Sequence, residues 1–404
     1  MSVSPARRAA YEVLLRVFEQ EAYADRAFRS AAEGLDERER AFAQRLAYGS
    51  VQRVRTLDNA IGTLGRRPVR KLDPPVRAAL RLGAYQLGYS DTAAHAAVNE
   101  SVELVRRARL ERAVPFTNAV MRRLSAGIGS LLESLPDGPL KESYPDWIHE
   151  TFVRVLGADG ALALMRAMNE PLETVVRLVR GEPPPGAEAT DVPGAYRVER
   201  VDGVLVAEGR IWPQSRGSQL AGLCMGSRDG ERVLDLCAAP GGKTGQLRGD
   251  VTAVEVDPAR ARELRENLTT MGRAGVDVVE ADGTALPREL DGFDHALVDA
   301  PCSGLGVLAQ RPDLRWRATP LRELQLALLR SAAERVRPGG TIVYSVCTLD
   351  PDECEAVVDA SGLRILPLAD EWPAFAHPSR PEFLLTLPHV HGTSGFFVAR
   401  LAHE

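Results

Sequence analysis

A chain of 404 residues, 45% hydrophobic and 26% charged, has room for two or three domains and enough apolar side chains to fill their cores, which excludes a disordered or low-complexity protein. No apolar run approaches the ~18 residues of a membrane-spanning helix, and the arginine-bearing start has no secretion-type apolar stretch, so no membrane association is expected and the cytoplasm is the expected compartment. The net charge of −5 is uneven: residues 1–135 hold 22 Lys and Arg against 15 Asp and Glu, an excess of +7, and the remainder carries −12.

In chain order, residues 5–21, 36–63, 72–89, 92–109 and 113–125 place apolar side chains at three-to-four spacing and predict helices. The breaks fall at Gly34, GlyArgArgPro (65–68) and AspProPro (73–75). Residues 1–135 therefore read as an all-α bundle whose basic excess favours a polyanion. Arginine density alone is weak support for RNA, because only Lys71, Lys141 and Lys243 are lysines. Residues 136–208 read as a small α+β linker domain, with helices near 146–157 and 159–168 and strands at 174–179 and 196–206. From 209 to 404 the pattern alternates. Strands are expected at 232–236, 251–256, 276–280, 295–299, 341–346 and 395–401, with helices at 258–271 and 320–336. Such alternation predicts a parallel, doubly wound α/β sheet, which binds ligands beyond the carboxyl ends of its strands.

Each polar feature of note falls at such an end. Cys237, Ala238, Ala239, Pro240, Gly241, Gly242 and Lys243 follow the first strand, and the two glycines permit a tight turn close to a ligand. A phosphate-binding loop would require glycine at position 237, where Cys237 stands. Glu255 ends the second strand near the distance expected of a ribose-binding carboxylate, Asp282 follows the third and Asp299 ends the fourth. Three acids at successive strand ends favour a nucleoside cofactor. Five cysteines (Cys224, Cys237, Cys302, Cys347 and Cys354), an odd number without CxxC spacing, speak against disulfides and zinc, so no metal is expected. Cys302 and Cys347 lie just past two strands, where a pair of thiols beside a cofactor points to covalent chemistry. Cys224 and Cys354 read as small buried hydrophobes.

These residues resemble a known family. LeuAspLeuCysAlaAlaProGlyGlyLysThr (234–244), AspAlaProCysSerGly (299–304), ArgProAspLeuArgTrp (311–316) and TyrSerValCysThrLeuAspProAspGlu (344–353) are similar to the Sun/RsmB group of RNA 5-methylcytosine methyltransferases. ArgArgAlaAlaTyrGluValLeu (7–14) and the 116–124 segment resemble the NusB-like RNA-binding domain of its ribosomal RNA members. The resemblance implies that 237–243 forms the S-adenosylmethionine loop, Glu255 takes the ribose hydroxyls, Asp282 lies by the adenine and Asp299 lies near the methyl donor and target base. It makes Cys347 the nucleophile and Cys302 the cysteine that assists product release. Carbon 5 of cytosine needs this help: it attacks a sulfonium only after a thiolate has added at carbon 6. An electropositive, partly exposed setting should lower the pKa of Cys347.

The sequence departs from the family pattern at several places. Glu255 stands where aspartate is usual, Val346 and Thr348 flank Cys347, Cys354 replaces asparagine, and TrpProGlnSerArgGlySer (212–218) is only loosely similar. DNA cytosine methyltransferases use a ProCys nucleophile, which here would be Cys302. The reading favoured is a monomeric methyltransferase of RNA, foremost small-subunit ribosomal RNA. The alternatives are a transfer RNA enzyme and a NusB-like RNA-binding or assembly factor with an inactive cofactor domain.

Overall fold

The computed structural model describes residues 3–403. The chain divides into two compact units: Met1–Val153 with Ala158–Asn169 and Gln310–Arg317, and Arg154–Gly157 with Glu170–Ala309 and Ala318–Glu404. The 136–208 stretch, expected as a linker domain, is shared between them. No helix among the described residues is long and apolar enough to cross a membrane.

The first unit is helical. It holds α1 (Pro5–Glu19), α2 (Ala24–Ala31), α3 (Glu37–Gln52), α4 (Val54–Gly65), α5 (Pro74–Tyr89), α6 (Ala94–Arg107), α7 (Val114–Ser134), α8 (Pro139–Glu142) and most of α9 (Asp146–Ala167). Local chemistry sets the boundaries. Ser4 caps α1 with Pro5 behind it, Asp36 caps α3 by accepting from Glu39 N at 2.8 Å, and α4 stops where Arg66 turns left-handed at φ 56°. The single helix expected over 36–63 is broken at Arg53, α2 was not foreseen, and the helix expected over 113–125 continues to Ser134. Gly157, at φ 70°, kinks α9 where two helices were expected to meet. The core is lined by Val13, Leu14, Leu46, Leu57, Ile61, Leu80, Leu82 and Leu124, each at most 1% exposed.

Residues 310–317 also belong to this unit, although they fall within the C-terminal domain expected over 209–404. Arg315 is fully buried there, with its guanidinium 3.8 Å from the Tyr144 ring centroid and donating to Asn169 Oδ1 and Met168 O. Burial lowers its pKa to about 10.

The second unit opens with a four-stranded antiparallel sheet of order β2-β3-β1-β4, formed by β1 (Val175–Leu178), β2 (Glu188–Ala189), β3 (Ala195–Arg197) and β4 (Ile211–Pro213). The strand expected over 196–206 ends at Arg197. Asp202 accepts from Val204 N and Leu205 N, and this cap starts helix α10 (Gly203–Ala207) instead. After α11 (Arg216–Leu223) comes the large sheet, with strands β5 (Arg232–Leu236), β6 (Asp250–Glu255), β7 (Asp277–Glu280), β8 (Phe293–Asp299), β9 (Val336–Val346), β10 (Arg364–Leu366), β11 (Leu384–Thr386) and β12 (Phe396–Ala402). The helices between are α12 (Pro258–Thr270), α13 (Leu314–Arg317, in the first unit), α14 (Arg322–Arg335), α15 (Glu355–Ser361) and α16 (Pro388–His391).

The large sheet runs β10-β12-β9-β8-β5-β6-β7, with β11 beside β12. Strands β5 to β9 are parallel, as expected, whereas β10, β11 and β12 pair antiparallel, so the sheet is mixed. Leu234, Ala296, Leu297, Val298, Ile342 and Val343 are fully buried, as in a sheet covered on both faces. Strand order reverses at β5, with β6 on one side and β8 on the other, and that reversal opens a crevice at the carboxyl ends.

Candidate active site

Register decides which residues meet at the crevice. Leu236 pairs with Val254 on β6 and with Val298 on β8, and Asp299 pairs with Ser345 on β9. Cys237, Glu255 and Asp299 therefore emerge at one level of the sheet, with Cys302 three residues beyond Asp299 and Cys347 two beyond Ser345.

The 237–243 loop leaves β5 with Cys237 in a left-handed conformation at φ 60°. Ala238 N donates to Val254 O at 3.0 Å and Gly241 N to Ala238 O at 2.8 Å. Gly241 has φ 101°, and a β-carbon there would lie 2.8 Å from Leu264 Cδ1, so the turn is reserved for glycine. Helix α12 takes up its outward carbonyls: Arg260 Nη2 donates to Ala239 O at 2.8 Å and Asn267 Nδ2 to Pro240 O at 2.9 Å. After the loop the chain makes only the 3₁₀ turn Thr244–Gln246 before β6 begins at Asp250.

Sequence reasoning passed over the supports of this loop. Arg177 on β1 is buried, donates to Gln214 Oε1 at 2.9 Å and Gly242 O at 3.2 Å, and has its pKa lowered to about 10 by burial. Gln214 Nε2 in turn donates to Gln246 Oε1 at 2.7 Å. The 212–218 segment thus braces the loop, a role carried by its own hydrogen bonds. Below, Thr244 Oγ1 donates to Asp235 Oδ2 at 2.6 Å, and burial pushes the Asp235 carboxyl up to about 7.

The acids differ in setting. Glu255 is buried; its Oε1 accepts from Asp257 N at 3.1 Å, while Oε2 has no hydrogen-bond partner and lies 3.5 Å from Arg260 Nη2. A buried carboxylate oxygen without a hydrogen bond, beside a glycine turn, fits the hydroxyl donors of a ribose. Asp282 is exposed, and its Oδ1 accepts from Thr284 N and Oγ1 at 2.8 and 2.7 Å. Asp299 is bound on both oxygens, by Lys243 Nζ at 2.7 Å and by Ser345 Oγ at 2.8 Å.

The two sulfurs of Cys302 and Cys347 stand 3.4 Å apart, both residues half-buried. The hydrogen bond shared by the pair holds Cys347 below the ordinary thiol range, helped by the Lys243 charge against burial and Asp299, and the same bond with burial raises Cys302 well above it. The lowered pKa of Cys347 thus comes first from its neighbouring thiol, and the Lys243 cation is offset by Asp299. Burial, reinforced by Asp299, Glu255 and Asp235, pushes Cys237 up to about 12, so its place in the loop is not that of a nucleophile. Cys224 and Cys354 are buried thiols with raised pKa values.

In the first unit, Arg67, Lys71, Arg109 and Arg112 line a pocket of about 550 Å³ together with Phe116, Asp73 and Glu111. Among the described residues none of the four cations makes an ion pair, unlike Arg53, Arg77 and Arg81 of the same unit.

Two family descriptions match this chain: a 16S rRNA methyltransferase RsmB/F model over residues 223–402 and a NusB family model over residues 4–126. A protein of Synechocystis sp. named "Probable ribosomal RNA small subunit methyltransferase B" is 33% identical, the alignment covering 98% of this chain and 99% of that protein. The ribosomal RNA small subunit methyltransferase B of Thermus thermophilus is 35% identical over 80% of this chain and 78% of its own. Among solved structures, PH0851 superposes with a TM-score of 0.82 over 100% of this chain and 99% of that chain, at 24% identity, a likeness of fold.

Proposed function

The chain belongs to the RsmB/F methyltransferase family, and from that premise we propose that it methylates carbon 5 of a cytidine in small-subunit ribosomal RNA through a covalent cysteine–cytosine adduct. The observation that carries this reading is the pair of sulfurs 3.4 Å apart at the carboxyl ends of β8 and β9, one biased toward thiolate and the other toward thiol. Two such thiols serve addition and elimination, which a methyltransferase acting on an already nucleophilic nitrogen does not need.

S-adenosylmethionine, the cofactor, supplies an electrophilic methyl group on a sulfonium. The 237–243 loop would hold it, with Glu255 toward the ribose and Asp282 toward the adenine. Cys347 adds its thiolate to carbon 6 of the base, which must leave any stack to be reached, and carbon 5 becomes enamine-like. After methylation carbon 5 still carries its proton. A base removes it, the electron pair of the carbon–hydrogen bond re-forms the ring double bond, and the Cys347 sulfur leaves carbon 6. Asp299, held by Lys243 and Ser345, would lie near the methyl donor and target base, and Cys302 would assist release. The unpaired cations around Arg67 and Arg109 supply a surface for RNA phosphates, and the reading includes a monomer working without metal in the cytoplasm.

The test separates the cysteines. Cys347→Ala should abolish methyl transfer and leave no adduct, whereas Cys302→Ala should accumulate a denaturant-resistant protein–RNA complex when S-adenosylmethionine is present. Denaturing gel electrophoresis decides it: an adduct from Cys347→Ala and none from Cys302→Ala reverses the roles, and no adduct from either removes the covalent route.

A further inference from the structure

Between the two cysteine loops lies a carboxylate that the mechanism above leaves unused. Glu353 is fully buried. Its Oε1 accepts from Ser303 N at 3.0 Å, Leu321 N at 3.0 Å and Gln325 Nε2 at 2.9 Å, and its Oε2 accepts from Ser303 N at 3.2 Å and from the Ser303 hydroxyl. Every partner is a donor, which is the pattern an anion satisfies. Yet no cation among the described residues pairs with it. The compensation comes from backbone N–H groups, one of them Leu321 at the start of α14.

The partners bracket Cys302. Ser303, the next residue, is held through both its N–H and its hydroxyl, and Gln325 Nε2 also donates at 2.8 Å to the carbonyl of Pro301, the residue before. Glu353 is itself anchored beyond Cys347: its carbonyl accepts from Tyr344 Oη at 2.6 Å, and Ser303 Oγ lies 2.8 Å from Thr348 Oγ1. A third link, Gly306 N to Cys347 O at 2.9 Å, closes the same two loops from the other side. A single buried carboxylate thus ties the Cys302 loop to the Cys347 loop and to α14.

We propose that Glu353 is a positioning residue that fixes Cys302 against Cys347 and whose buried charge decides which of the two sulfurs carries their shared proton. An anion balanced by hydrogen bonds and not by a cation, one residue from Cys302, disfavours a second negative charge there, so the proton stays on Cys302 and the thiolate forms at Cys347. The direction found for Cys302 agrees: the hydrogen bond to Cys347, burial, the charge of Cys347 and then that of Glu353 raise it, against the Gly304 backbone. Of the charged groups nearby, Asp299 opposes this bias by raising Cys347 and Lys243 supports it by lowering Cys347. Asp350 and Asp352 are engaged by Arg154, Glu355 by His377, and Lys243 by Asp299 beside Cys347. The inference rests on the reading of Cys347 as nucleophile, but its readout needs no RNA.

The experiment is iodoacetamide alkylation of the full-length protein across pH 6–10, with Cys302 and Cys347 resolved by peptide mass spectrometry and S-adenosylmethionine binding as the check of folding. In the wild type Cys347 should react first. Glu353→Gln, isosteric and uncharged, should reduce the Cys347-to-Cys302 alkylation ratio at pH 7 by about tenfold, the equivalent of one pKa unit between them. A variant that still binds S-adenosylmethionine with an unchanged ratio would overturn the proposal. Should Glu353→Gln fail to fold, Ser303→Ala decides: it removes the hydroxyl links to Glu353 and Thr348 and leaves the charge, so methyl transfer should fall at least about tenfold while the alkylation order persists. Undiminished methyl transfer in Ser303→Ala would overturn the positioning role. A normal alkylation response without any RNA adduct would fault the cytosine reading and leave Glu353 in its place.

Discussion

Asp235 carries a charge problem that the fold solves by keeping its proton. An unfolded aspartate ionises near 4, whereas burial, against the opposing Thr244 hydroxyl, holds this one to about 7. Below pH 4 both states are protonated and the residue costs nothing. As pH rises from about 4 to 7 only the unfolded chain releases the proton, so stability falls through that window and levels above it, by a few kcal/mol at most. Asp235→Asn keeps the Thr244 partner without the charge. It should melt at a higher temperature than the wild type at pH 8 and at the same temperature at pH 4; matching midpoints at pH 8 would show that the carboxylate ionises unhindered. Asp235 on β5 and Cys237 in the turn after it both have raised pKa values, whereas Cys347, past the end of β9 and two strands away, is tuned the other way.

At the scale of elements, the small sheet supports the 237–243 loop. Arg177 crosses from β1 to the Gly242 carbonyl and binds Gln214, the residue after β4, so both strands converge on one turn. Replacing it by methionine keeps much of the buried volume and removes the donors, leaving Gly242 O and Gln214 Oε1 without that partner. Arg177→Met should weaken S-adenosylmethionine binding at least about tenfold with little change in the large sheet, since each buried acceptor left unpaired costs about 1–3 kcal/mol. Calorimetry with the cofactor checks this, and unaltered affinity would assign Arg177 to packing alone. The strand expected over 196–206 failed for a related reason: the alternation of ValGluArgVal resembled a strand, but the Asp202 cap is a local signal that outweighs it.

For the whole molecule the uneven charge has a structural counterpart. Within the first unit most buried or half-buried arginines are paired, whereas Arg67, Lys71, Arg109 and Arg112 gather at the turns after α4 and α6 without ion pairs among the described residues. Changing all four to glutamine should lower RNA affinity and flatten its dependence on salt, the slope of log K against log salt falling by about 3, as expected for four lost phosphate contacts. S-adenosylmethionine affinity should be untouched. Equal salt slopes for variant and wild type, measured by filter binding with a ribosomal RNA fragment, would make the cluster ordinary surface.

How much was legible in the sequence follows from which signals are local. Helix caps, glycine turns and apolar period are written in adjacent residues, so the helical first third, strands such as 232–236 and the strand-end positions of Cys237, Glu255, Asp282 and Asp299 could be read directly. The family resemblance added roles for Cys302 and Cys347. Nothing in the sequence says that Leu236 pairs with Val298 or Asp299 with Ser345, and it is this register that brings thiols 45 residues apart to 3.4 Å. The antiparallel pairing of β12, the inclusion of 310–317 in the helical unit and the burial of Arg177 and Glu353 are likewise decided by contacts distant along the chain. A polar residue reads as surface until tertiary packing surrounds it with donors, which is why Glu353 looked like one more loop acid in AspProAspGlu and proved to be the anion to which the Cys302 loop is tied.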